Sequence, residues 1–181
     1  EPSRRQRQMC IRDRNTPNPN VIKFVANKRL VNTSHEFKSI ESAQNCSIAK
    51  ALFNHDFISE LYIDFNFISI TIKKENSWDN HIMEIREFIL SYIRDGNEII
   101  DSKFDIENDK NESIDFENMD EISKEIAKLI DDQIKPAVAS DGGNILFQSY
   151  DSNSKEVKVI LQGACSCLFY TSPSPRDLAQ S

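Results

Sequence analysis

Alternating apolar and polar residues predict the first strands of the chain. Ile22 and Phe24 fall on one face of an early strand, and Lys23 falls on the other. Two further runs, residues 61–65 and 68–72, alternate in the same way and predict a hairpin. This alternation is typical of a sheet that is buried on one face.

A helical period appears on either side of this hairpin. Residues 42–53 predict one helix, and Ser77 is an expected N-cap for a second that ends near Gly96. Five residues spaced three or four apart form the apolar stripe of the second helix: Trp78, Ile82, Ile85, Ile89 and Tyr92. A short return strand is expected at Leu30 and Val31. Together these elements predict a small α+β domain over residues 15–100.

The pattern repeats on a smaller scale after residue 118. A helix is predicted from Asp120 to about Ile134, and Pro136 is expected to end it. Its apolar stripe consists of Ile122, Ile126, Leu129 and Ile130. Strands are predicted within residues 145–150 and 156–161. Residues 119–167 therefore form a second α+β domain, whose single helix and two strands leave apolar surface uncovered.

Two glycine turns lie at the ends of these last strands. Asp141, Gly142 and Gly143 predict a sharp turn, in which the aspartate has a structural role rather than that of a general base. Gly163 ends the other strand and is followed by Cys165 and Cys167. Two closely spaced thiols on a loop indicate metal or redox chemistry more than packing.

The remaining segments have no core pattern. Residues 101–118 are strongly acidic, and mutual repulsion predicts an extended, solvated linker between the two domains rather than a docking tail. Residues 1–14 are rich in arginine, and residues 168–181 are rich in serine and proline. Both ends are expected to be disordered or non-native flanking sequence.

Composition narrows the classes of function. The net charge of −7 argues against nucleic acid as a partner, because nucleic acid requires a basic face. No apolar run approaches the ~20 residues of a membrane span, and no secretory signal is evident. Four unevenly spaced cysteines do not form a disulfide framework, which favours a reducing compartment.

Two stretches resemble one known family. Ile134 to Asn144, followed by Gly163-Ala164-Cys165-Ser166, resembles the C-terminal domain of NifU-like (Nfu) proteins. Residues 16–24 are similar to the opening of the Nfu N-terminal domain. Both matches occur in the order and at the spacing of the family, and the resemblance covers roughly residues 16–166. It implies that the second domain is truncated, because a further helix and strand are expected after the cysteines.

The resemblance implies an iron–sulfur cluster scaffold or carrier, not an enzyme. A [4Fe–4S] cluster shared across a homodimer is implied, with Cys165 and Cys167 as its ligands and apo iron–sulfur proteins and upstream assembly machinery as partners. Here the spacing is Cys-x-Cys, one residue shorter than the family's Cys-x-x-Cys. The change alters the direction of the second sulfur. Cys165 matches the family pattern, whereas Cys167 departs from it.

Two alternatives stay open. The chain could be a protein-interaction fragment without a cofactor, or a dithiol redox protein, although it lacks the βαβ setting of the latter. Cys46 is expected to be a buried apolar residue and Cys10 has no expected role. The three histidines, His35, His55 and His81, show no metal-ligand spacing and are expected to be structural. The missing transit-peptide character favours the bacterial cytoplasm, with the mitochondrial matrix as the alternative.

Overall fold

The fold belongs to the predicted α+β class. A computed structural model describes residues 8–112 and 116–165. Its strands are β1 (Ile11–Asn15), β2 (Val21–Ala26), β3 (His35–Phe37), β4 (Ile58–Asp64), β5 (Phe67–Ile72), β6 (Gly143–Asp151) and β7 (Glu156–Gly163). Its α-helices are α1 (Ser47–Phe53), α2 (Ile82–Arg94), α3 (Ser102–Glu112), α4 (Glu121–Leu129) and α5 (Lys135–Ser140).

Strands β1 to β5 form one antiparallel sheet in the order β1-β2-β5-β4-β3. Helices α1 and α2 cover one face of it, and their apolar residues share a single core with the strands. Fully buried members of this core include Phe24, Ile48, Leu52, Ile68, Ile70, Ile85 and Ile89. The predicted hairpin and the stripe of α2 are therefore present, and Ser77 caps a short 3₁₀ turn just before α2.

Three local expectations for this part were wrong. The segment Ile11–Asn15 is strand β1, because Ile11 is buried and the segment pairs along β2. Leu30 and Val31 form no strand, since their amides donate to the carbonyl of Phe65 in a loop instead. The helix predicted over residues 42–53 is divided into a 3₁₀ turn and α1, with Cys46 in extended conformation between them.

The acidic stretch also differs from the expected extended linker. Ser102–Glu112 is helix α3, and the Asp101 carboxylate accepts hydrogen bonds from the first-turn amides of Lys103 and Phe104. Asp105 is only 3% exposed. Its carboxylate accepts from the amides of Asn32 and Thr33 and lies 2.9 Å from the Nε2 atom of His35. Repulsion does not extend residues 102–112, because the Asp105 carboxylate has specific partners in the N-terminal domain and the Asp101 carboxylate caps the helix.

The environment of Asp105 has opposing effects on its acidity. Burial acts to raise the pKa of this carboxyl, but hydrogen bonds from His35, Asn32 and Thr33 outweigh burial and hold the pKa below its ordinary value. The carboxylate therefore anchors α3 in its charged form.

Replacing Asp105 with alanine should lower the free energy of unfolding at neutral pH by about 2–4 kcal/mol, because buried donors lose a charged acceptor. The folded-state pKa is depressed, so this contribution is present above the unfolded pKa and is lost as pH falls through the folded pKa. The difference between Asp105→Ala and wild type should therefore shrink in acid. Urea titrations at several pH values measure it, with the exposed Glu107→Ala as the control. Equal midpoints for wild type and Asp105→Ala would contradict the anchoring role.

The helix of the second domain does not end at Pro136. Asp120 caps α4, as the sequence indicates, through a bond accepted from the Ser123 amide. A π-helical turn over Ile130–Ile134 then joins α4 to α5, and the Lys135 amide donates to the Ile130 carbonyl. A widened turn accommodates a proline that has no amide hydrogen, so the chain remains helical as far as Ser140.

Strands β6 and β7 form a two-stranded antiparallel sheet that packs on these helices. The core here is small and consists of Ala127, Ile130, Ile145 and Phe147. Several large apolar side chains are exposed: Ile122, Leu129, Ile134, Val157, Val159 and Ile160. This exposure agrees with the uncovered apolar surface expected from the sequence.

Candidate functional site

The Asp-Gly-Gly turn links the end of α5 to the start of β6. Asp141 ends the helix through its backbone amide, which donates to the carbonyls of Ala137 and Val138. Gly142 has a φ of +84°, a conformation that residues with a Cβ atom rarely adopt. Gly143 then pairs with Gly163 at the open end of the hairpin. The structure thus brings the two predicted glycine turns together.

Cys165 lies directly against this turn. It is 8% exposed, and a Cβ atom added at Gly143 would lie only 2.8 Å from its Sγ atom. The amide of the intervening Ala164 donates to the Gly142 carbonyl. Burial, and secondarily the charge of Asp141, raise the pKa of the Cys165 thiol. Glycine is therefore required at residue 143, because any side chain there would occupy the position of the Cys165 sulfur.

Cys167, the second expected ligand, lies outside the described residues. Its position relative to Cys165 stays a prediction. Within the described residues, no group of three or more histidine, cysteine, aspartate or glutamate side chains could hold a metal ion. The candidate site is therefore centred on the Cys165 thiol.

The face of the five-stranded sheet opposite helices α1 and α2 contacts this site. One residue from each of four neighbouring strands lies in a single transverse row: Lys23, Ser69, Tyr62 and Glu36. Because directly opposed residues of antiparallel strands share a face, all four side chains lie opposite the helices. We call this set the docking row.

Each member of the docking row contacts the second domain. The Lys23 ammonium donates to the Ala139 carbonyl at 2.6 Å, and the Ser69 hydroxyl donates to the Gly142 carbonyl at 2.5 Å. The Glu36 carboxylate accepts from the Gly163 amide at 3.0 Å. The ring of Tyr62 packs below the same glycine, where an added Cβ atom would lie 2.8 Å from its Cδ1 atom.

Lys23 is the charged member of this contact, and it is only 9% exposed. Burial, followed by repulsion from Arg14, lowers the pKa of its ammonium group. The carbonyl of Ser140 lies 3.4 Å from the same nitrogen, and the Phe67 ring centroid lies 4.2 Å away. The last carbonyls of a helix carry partial negative charge, so the end of α5 compensates in part for the desolvation of this cation.

The other described thiols and the three histidines belong to the N-terminal part of the chain. Cys46 is fully buried, and burial raises its pKa to about 12, so it is the apolar core residue that the sequence predicts. Cys10 is exposed. His35 is a buried structural histidine beside Asp105. The structure does bring His55 and His81 to one carboxylate, Glu84: His81 precedes it by three residues, whereas no sequence spacing indicates the approach of His55.

A search of the described residues finds no helix that is both long and apolar enough to cross a bilayer. The fold and the turn together define a class of protein: two small α+β units, one of which presents a cysteine beside a pair of glycine turns.

Comparison with known proteins assigns this class to a family. Residues 11–96 match the family model described as the N-terminal domain of the scaffold protein Nfu/NifU, and residues 126–169 match the NifU-like domain. The chain therefore belongs to the Nfu/NifU family of scaffold proteins. This family description agrees with the expectation of a protein that is not an enzyme.

Named relatives are similar over most of this chain. It is 30% identical to NifU-like protein 4, mitochondrial, from Arabidopsis thaliana over 89% of this chain and 56% of the relative. It is also 30% identical to the mitochondrial NFU1 iron-sulfur cluster scaffold homolog from Drosophila willistoni, over 89% and 54% respectively. The chain thus spans about half the length of these curated relatives. The solution NMR structure of a NifU-like protein from Saccharomyces cerevisiae is 22% identical, with a TM-score of 0.47, over 53% of this chain and 87% of that one.

Replacement of Gly163 with alanine should destabilise the protein more than the same replacement at Gly96. Both glycines have positive φ, so both variants carry a similar backbone strain. Only Gly163 also lacks room, since its added Cβ atom would meet the Gly142 carbonyl and Tyr62, whereas nothing lies within 4 Å at Gly96. Overpacking of this kind costs about 1–3 kcal/mol, which urea denaturation would measure. Similar losses in both variants would show that the close contact at Gly163 is absent in solution.

Proposed function

We propose that this protein is an iron–sulfur cluster scaffold or carrier that assembles a [4Fe–4S] cluster and transfers it to apo-proteins. The observation that carries the proposal is Cys165, held against two glycine turns in a domain that matches the NifU-like family model. The similarity to the Drosophila relative, which is named as an iron-sulfur cluster scaffold homolog, supports it.

The donor chemistry of the turn fits this cargo. Iron–sulfur clusters are bound by cysteine thiolates, typically four per cluster. The Cys165 sulfur lies against Gly143, which has no side chain to shield the thiol from a bulky inorganic group once the thiol is accessible. Cys165 and Cys167 would supply two ligands, so a complete set requires a second chain. We therefore propose a homodimer that shares the cluster at this loop.

Transfer from such a site is a ligand exchange. A recipient's cysteine thiolate replaces Cys165 or Cys167 on an iron atom, and the released thiolate takes up a proton. No covalent bond of an organic substrate is broken, so no catalytic residue is required. The expected partners are apo iron–sulfur proteins that receive the cluster and upstream machinery that supplies it. The N-terminal domain would select among them.

The mitochondrial names of the relatives favour the matrix over the bacterial cytoplasm as the place of this activity. We therefore propose the mitochondrial alternative, which also provides the reducing conditions that the unpaired thiols require.

Anaerobic reconstitution with iron and sulfide should give broad absorbance near ~400 nm and about four irons per dimer. Cys165→Ser should lose most of this iron, because the substitution removes one thiolate from each chain. Cys10→Ser, which removes an exposed thiol away from the turn, is the matched control and should retain it. A separate Cys167→Ser variant tests the second ligand.

A colourless wild-type product that still binds apo-proteins would favour the interaction fragment instead. Reduction of insulin disulfides by the wild type, and not by Cys165→Ser, would favour a dithiol redox protein.

A further inference from the structure

The docking row covers the side of the cysteine turn that faces the N-terminal sheet. Its contacts are spread over three successive parts of the second domain: the end of α5, the Gly142 turn and Gly163. Two of these parts also flank Cys165: its sulfur lies against Gly143, next to the Gly142 turn, and Gly163 precedes it by two residues. A second chain therefore cannot reach this side of the turn while the row is in place.

The row is unusual for the face of a sheet opposite its core. Ser69 is 2% exposed and Tyr62 is 1% exposed, although neither belongs to the helix-covered core of the domain. The polar groups match one another in kind: two donors of the row meet carbonyl oxygens and its carboxylate meets an amide. Such pairing satisfies groups whose burial would otherwise be unfavourable.

We propose that the docking row holds the protein in a closed form, in which the N-terminal domain restricts access to Cys165, and that the row must release the turn before cluster loading. This inference rests on the proposed function for its purpose, but the contact itself is independent of any cluster. The occupants of the row are backbone groups of the protein's own Ala139, Gly142 and Gly163. In the open form the same turn becomes available to the second chain.

The row is polar and small, which suits a reversible contact. The side chains of Lys23, Ser69 and Glu36 hydrogen-bond to the second domain there and the Tyr62 ring packs against it, whereas each domain has its own separate apolar core. Opening would expose polar groups that water can satisfy and would leave both cores intact.

Alkylation of Cys165 by iodoacetamide, followed by peptide mapping in the cluster-free full chain, tests the proposal. The double variant Lys23→Met/Ser69→Ala removes the Lys23 and Ser69 hydrogen-bond donors of the docking row with little change in side-chain volume. Its Cys165 should react about tenfold faster than that of the wild type, the factor that corresponds to about 1.4 kcal/mol. Arg14→Met is the matched control. Arg14 on β1 pairs with Lys23 but is exposed, so Cys165 in this variant should react no faster than in the wild type.

Cys46 reports on folding in the same experiment, because it is buried in the N-terminal core. Faster reaction at Cys165 with Cys46 still protected supports the closed form. Equal Cys165 rates in wild type and the double variant would overturn it. If Cys46 also reacts, the double variant has unfolded, and the milder Ser69→Ala decides by the same two outcomes.

Reconstitution separates this inference from the proposed function. Failure of the wild type to bind iron would count against the function and leave the alkylation result standing. Successful loading at the same rate in wild type and the double variant would retain the function and overturn the gating role of the docking row.

Discussion

The arrangement of the two domains depends on one buried cation. Lys23 comes from β2 of the sheet, and its ammonium group lies at the end of α5, where the carbonyls of Ala139 and Ser140 accept its hydrogen bonds. Desolvation of a charge is unfavourable, and these carbonyls offset it only while the domains are together. The contact places the end of α5, next to the Gly142 turn, against the sheet.

A second buried ion, the Asp105 carboxylate, attaches α3 to the N-terminal domain. Asp105 brings α3 onto the loop before β3, so the acidic segment belongs partly to the first domain rather than lying between two domains. Both polar anchors involve residues distant in the chain, one joined to a helix end and the other to loop amides. The apolar cores build the two domains, and polar contacts decide how they are placed.

Much of the N-terminal fold could be predicted, because alternation in residues 68–72 and the stripe of α2 record burial directly. The glycine turns could also be predicted, since only glycine readily adopts positive φ. The burial of Asp105 could not, because composition suggests repulsion and its partners lie about seventy residues away. Lys23 was correctly placed on the face opposite the core, but no local pattern indicates that another domain covers that face. The helix end predicted at Pro136 was wrong, because a π-helical turn accommodates the proline.

The anchoring of α3 also changes how far the second domain can move. With α3 fixed to the first domain, only residues 113–120 separate its end from the start of α4. Fully extended, that length spans at most about 30 Å. This limit keeps the two domains near each other even when their contact is broken, so a weak contact is enough to hold them together. A competing partner therefore has to displace a surface that stays within this distance.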